Sequence, residues 1–156
     1  MTNFQRVGAI SNAHVGRELE DIAAAYLAQE GLHVHPRHKV PVGVANIKRP
    51  HEFDLGCDDQ MVLVECKAHT WTAGDKVPSA KMINWAEAMY FFALTPEYRR
   101  IFFVQRSIRV SNGESLVAYF KRTKPHLIPP GVEFWEYDFE SKTVLKSGLS
   151  NMQGDI

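Results

Sequence analysis

Residues 51–68 read HEFDLGCDDQMVLVECKA, and their pattern decides the fold. Two apolar-alternating stretches, His51–Leu55 and Met61–Ala68, flank a run of turn-forming composition, Gly56-Cys57-Asp58-Asp59-Gln60, so the segment reads as a β-hairpin. The second strand is apolar on both faces at its start, as befits an interior strand. Alternation then sets Leu63, Glu65 and Lys67 on one face. A carboxylate and an ammonium straight after an apolar run stand out, because charge is costly to bury unless it is paired or holds a metal. With Asp58-Asp59 as a two-residue loop, Asp54 opposes Leu63 and Glu52 opposes Glu65. Glu52, Asp54, Glu65 and Lys67 then converge. A loop longer or shorter by one residue breaks that parity unless a bulge restores it.

Converging carboxylates repel each other, and a divalent cation removes the penalty. Hard oxygen ligands favour Mg²⁺ or Mn²⁺, with waters in the remaining positions. Lys67 beside them can orient or help deprotonate an attacking water, and can stabilise charge developing on a phosphate. These parts suit phosphodiester hydrolysis.

Outward from the hairpin, Val15, Leu19, Ile22, Ala23, Tyr26 and Leu27 recur at helical spacing. They predict an amphipathic helix over Asn12–Glu30, stopped by Gly31. Leu32–Val44, broken by Pro36, Pro41 and Gly43, reads as an edge strand and a loop. Ser79–Leu94 reads as a second helix, with Met82, Trp85, Ala86, Met89, Tyr90 and Ala93 as its core stripe. Arg99–Gln105 is a buried strand, Glu114–Lys124 a short helix, and Val132–Phe139 (VEFWEYDF) a late strand. This order predicts an α/β fold, a mixed central sheet with helices on both faces. A single domain is expected over 1–148, with a flexible tail over 149–156.

Hydrophobic residues at 45% and charged residues at 23% are an ordinary globular balance. No apolar run approaches the roughly 18 residues a membrane span needs, and MTNFQRVGAI lacks the apolar stretch of a signal peptide. With only two cysteines, Cys57 and Cys66, the expectation is a cytoplasmic protein with reduced thiols, away from membranes. Eighteen basic side chains balance eighteen acidic ones. That weakens the case for a protein that coats nucleic acid by bulk charge, but not for one with a local basic patch.

Asp54, a ten-residue gap and then Glu65-Cys66-Lys67 resembles the signature of the PD-(D/E)XK nuclease superfamily. The helix GRELEDIAAAYLAQEGLHV (16–34) is similar to the first helix of its resolvase-like and restriction-endonuclease-like members. The resemblance spans roughly residues 11–105. One departure is that Phe53, not Pro, precedes Asp54. The resemblance implies a metal-dependent nuclease, cutting DNA rather than RNA by preference. Asp54 and Glu65 would hold Mg²⁺ or Mn²⁺, the Cys66 carbonyl would add a donor, and Lys67 would be the catalytic lysine. Glu20, or Glu18 in its place, would reach the metal from the helix.

Other candidates weigh less. Lys39, Lys48 and Arg49, leading into the hairpin, are candidate nucleic-acid contacts. Among seven histidines, His33, His35 and His38 cluster without the spacing of a zinc site. A homodimer would pair two cutting sites, with Val132–Phe139 and the second helix as candidate surfaces. The alternatives to an enzyme on nucleic acid are a catalytically silent binding or assembly module of the same fold, and a metal hydrolase of another substrate.

Overall fold

The computed structural model describes residues 2–148, with side chains from Ala13 onward. Six strands form one open mixed sheet in the order of the chain. They are β1 (His35–Val42), β2 (Arg49–Cys57), β3 (Val62–Lys67), β4 (Arg99–Gln105), β5 (Glu133–Asp138) and β6 (Thr143–Ser147). The β3–β4 and β4–β5 pairs are parallel and the other three antiparallel. Three α-helices accompany them: α1 (Thr2–Gln29), α2 (Ser79–Ala93) and α3 (Leu116–Thr123). Among the described residues, no helix is long and apolar enough to cross a membrane. The tail expected over 149–156 lies outside the described residues.

Helix α1 starts well before the expected Asn12, since no proline interrupts Thr2–Ser11. It stops where expected. Gly31 takes φ 84°, and the amide of Leu32 returns to the Leu27 carbonyl at 2.8 Å, closing the last turn. The face of α1 bearing Leu19, Ala23 and Leu27 is fully buried with Leu55, Val62, Val64, Ile101 and Phe103. A second cluster gathers Met82, Trp85, Met89 and Phe92 of α2 and Leu116, Val117 and Phe120 of α3. With them lie Phe53, Leu63, Phe102, Val104 and Phe134. Alternate residues of β4 therefore serve different cores, the period-two rule of a strand buried on both sides.

The α2 stripe is rotated from the expected one. Met82, Trp85 and Met89 are buried, but Tyr90 is 53% exposed and Ala88 and Phe92 are buried instead. Helix α3 is capped by Ser115, whose hydroxyl accepts from the Ala118 amide at 3.0 Å. Strand β5 lies between β4 and β6, with Val132, Phe134, Trp135 and Tyr137 buried. Val132–Phe139 is thus sheet interior rather than a dimer surface. Strand β6 was not foreseen from the sequence.

Arg100 is 6% exposed and, among the described residues, makes no carboxylate ion pair, although the charge of Glu97 acts on it from farther off. Its guanidinium donates to the carbonyls of Tyr98 (3.1 Å), Phe92 (2.7 Å) and Pro130 (2.7 Å), fastening the end of α2 and the Pro-Pro-Gly turn to the start of β4.

Candidate active-site cleft

The expected hairpin forms with a different loop. Four residues, Asp58–Met61, join the strands, and Met61 takes φ 53° at the end of the turn. The pairs are Leu55–Val64, Gly56–Leu63 and Cys57–Val62. Relative to a two-residue loop this register is displaced by two positions, which preserves the parity of faces. Extended by one residue it sets Asp54 opposite Glu65. Glu52, expected at that place, pairs instead with Lys39 and is exposed.

The β2–β3 ladder stops at Asp54. Phe53 belongs to the α2 core and Leu55 to the α1 core, although regular alternation would give both residues one face. The backbone therefore turns over between them. Arg37, which the β1–β2 register would place opposite Asp54, takes φ 53° and the 37–54 pair is missing. This is a bulge-like break, and it frees Asp54 from the ladder. Its Oδ2 accepts the Cys66 amide at 2.8 Å, so a side chain takes the place of a strand carbonyl.

That substitution brings the motif to an open cleft of about 570 Å³. Asp54, Cys66 and Lys67 line it from the sheet, Ala13, Gly16 and Glu20 from α1, His69, Thr72 and Pro78 from the segment leading into α2, and Lys81 from the first turn of α2. Glu20 is half-buried and lines the cleft, while Glu18 is exposed and does not. Ala13, Gly16 and Glu20 follow one helical stripe, and the absence of a side chain at Gly16 leaves room beside Glu20.

The acidic groups sense one another. Burial, then the Glu65 charge, pushes the Asp54 carboxyl up to about 7, against the Cys66 hydrogen bond. Burial, then Asp21 and Glu65, raises Glu20, opposed by Arg37 and Arg17. Glu65 itself does not line the cleft. It is 7% exposed, its Oε1 accepts no hydrogen bond, and His51 Nε2 lies 3.8 Å away. His51 is held by a parallel stack on Phe91, with ring centres 3.6 Å apart. An orphaned, buried carboxylate oxygen is costly to a fold. The Cys66 thiol is buried and pushed well up, so this residue acts through its backbone.

Among the described residues, no group of three His, Cys, Asp or Glu side chains forms a ready metal cage. His38 is engaged instead with Asp58, Nε2 to Oδ1 at 2.7 Å. Lys39, Lys48 and Arg49 are exposed on β1, its connecting loop and β2, and none lines the cleft. The cations that do are Lys67 and Lys81. Lys81 and His69 were not singled out from the sequence. His69 stands two residues beyond Lys67, but its partner is Trp85 on α2, and no local spacing announces that contact.

Comparison with models of protein families, with curated proteins and with solved structures finds no match.

Proposed function

We propose that the chain is a metal-dependent nuclease that hydrolyses phosphodiester bonds, in DNA rather than RNA by preference, on a restriction-endonuclease-like fold. Such a fold has helices on both faces of its sheet. The division of β4 between an α1 core and an α2–α3 core supports that arrangement. The observation that carries the activity is the break at Asp54. It gathers Asp54, Glu20, Cys66 and Lys67 on one cleft, with the Glu65 carboxylate buried behind them.

The donor set fits a hard divalent cation. Lys67 offsets the two neighbouring acids only in part, since burial and the Glu65 charge still carry Asp54 up to about 7, and Glu65 Oε1 lacks any hydrogen bond. Mg²⁺ and Mn²⁺ suit a site with few carboxylates, because they keep several waters and need no closed protein cage. Asp54 and Glu65 would hold the ion, with Glu20 and the Cys66 carbonyl as further donors. When bound, it supplies Lewis-acid stabilisation of charge on the phosphoryl group. Lys67 presents an ammonium to the cleft, where it orients the attacking water and meets negative charge growing on phosphorus oxygens. Lys81 adds a second cation for the substrate backbone.

Two measurements test this reading. Mn²⁺ titration by calorimetry should give heat with the wild type and little with Asp54→Asn or Glu65→Gln. Equal heats from all three would remove the site. Incubation with single-stranded, duplex and branched DNA in Mg²⁺ or Mn²⁺ should give cleavage that EDTA abolishes. Binding without cleavage on every substrate and with either ion would replace the enzyme by a binding module.

A further inference from the structure

One residue of the cleft has no part in the chemistry above. The Nδ1 atom of His69 accepts a hydrogen bond of 2.9 Å from Nε1 of Trp85, a side chain with no exposed surface. An indole N–H can only donate, so Nδ1 carries no proton and the neutral ring bears its proton on Nε2. The two nitrogens lie on opposite sides of the imidazole. One is engaged by the core, and the other is left to the cleft that His69 lines. Burial, with Lys67 and Lys81 nearby, holds the ring down at about 4, so it stays neutral at physiological pH.

We propose that His69 contacts the substrate, its Nε2–H, aimed by Trp85, donating to a non-bridging phosphate oxygen of a nucleic acid in the cleft. The substrate rests on the nuclease reading, but the contact is separable from cleavage. A neutral donor recognises the anion without setting a third positive charge beside Lys67 and Lys81. The fixed tautomer means that no ring flip or proton rearrangement precedes binding.

The test uses the full chain. Long-range proton–nitrogen NMR in EDTA, where nothing is cut, reads the His69 ring alone, with inorganic phosphate, and with a short DNA duplex. The expected spectrum is an Nε2-protonated ring at pH 7 whose Nε2 signal moves with the duplex. Kinetics then separate contact from scaffold. In His69→Asn the amide oxygen still accepts from Trp85 but no donor reaches outward. It should melt like the wild type, with kcat/KM lower by ~10- to 100-fold through a raised KM, the worth of one hydrogen bond to a charged group. His69→Gln, whose amide N–H reaches the former Nε2 position, should recover most of that loss. An Nδ1-protonated ring, a signal silent to the duplex, or an Asn variant as active as the wild type would overturn the proposal. A response to phosphate alone also overturns it, since nucleic acid is then not the ligand. If the wild type cuts nothing, the nuclease reading falls and the duplex response alone decides: movement sustains the contact, silence ends it.

Discussion

Asp54 and His69 depart from their ordinary protonation in opposite senses, and their effects on stability run against each other. Asp54 rises from 3.8 to about 7, chiefly through burial and the neighbouring Glu65. A raised folded-state value means that the protonated form favours the fold. Its contribution is complete below about pH 4 and is lost as pH climbs through about 7. His69 falls from 6.5 to about 4, so its contribution is present above pH 6.5 and lost as pH falls through about 4. The metal-free wild type should therefore show a flat stability profile between these limits. Asp54→Asn should melt higher than the wild type at pH 8 and lose stability on acidification, a reversal that thermal scans in EDTA will read. A variant that melts lower at pH 8 would show that Asp54 is not held uncompensated. Lys67→Ala removes a charge at the rim of the cleft and no core volume. The fold and DNA affinity should persist while cleavage falls by at least ~100-fold, the usual scale for a charge-stabilising or proton-handling group. Gel-shift and cleavage assays on one preparation separate the two effects. The chemistry-bearing types at 54, 65 and 67 were legible in the sequence because alternation fixes their faces. The Trp85–His69 contact was not, because it joins a loop to a helix sixteen residues on.

At the scale of elements, β4 lies over the residues its pattern predicts, since an uninterrupted apolar run with basic flanks admits no other register. Strand β3 also lies inside its expected stretch. The break in β2 was hidden, because it depends on a left-handed Arg37 in the neighbouring strand and on a side chain replacing a ladder acceptor. Strand β6 was hidden for a simpler reason: TVLKS is short, lies at the sheet edge and is mostly exposed, so it lacks the alternation that marks a half-buried strand. Beyond the break, Arg49–Phe53 pair with β1 alone, and their buried side meets α2 through His51 on Phe91 and Phe53 on Phe92. The other side carries Lys39 and Glu52. Arg49, at the start of the strand, and Lys48, in the turn, are exposed like Lys39, and all three cations lie outside the cleft. On the nuclease reading these cations act at a distance from the reacting phosphate. Lys48→Ala with Arg49→Ala should weaken DNA binding and flatten its salt dependence by about one to two phosphate contacts, leaving kcat at saturation unchanged. A fall in kcat with unaltered affinity would place them in the site after all.

Over the whole molecule, zero net charge is compatible with the proposed substrate because two cations, Lys67 and Lys81, line the cleft itself. Asp54 lines the cleft half-buried and Glu65 is buried behind it, while Lys81, Lys48 and Arg49 stay exposed. Arg100 shows how tightly distant parts are tied. Replacing it by Met keeps most of the volume but strips a donor from the carbonyls of Tyr98 and Pro130, while that of Phe92 keeps the amide and hydroxyl of Thr95. Unsatisfied buried groups cost ~1–3 kcal/mol each where water cannot reach them. The melting temperature should fall by several degrees, at about 2–4 °C per kcal/mol for a chain of this size. No change would mean that the carbonyls find water and that the clamp is incidental. The two cores have a further consequence. Helix α1 packs in one and α2 in the other, and both wall the same cleft, so the cleft is a seam between the two packed halves. Anything bound there acts as a rivet, and the halves that could loosen separately when the seam is empty come apart together once it is filled.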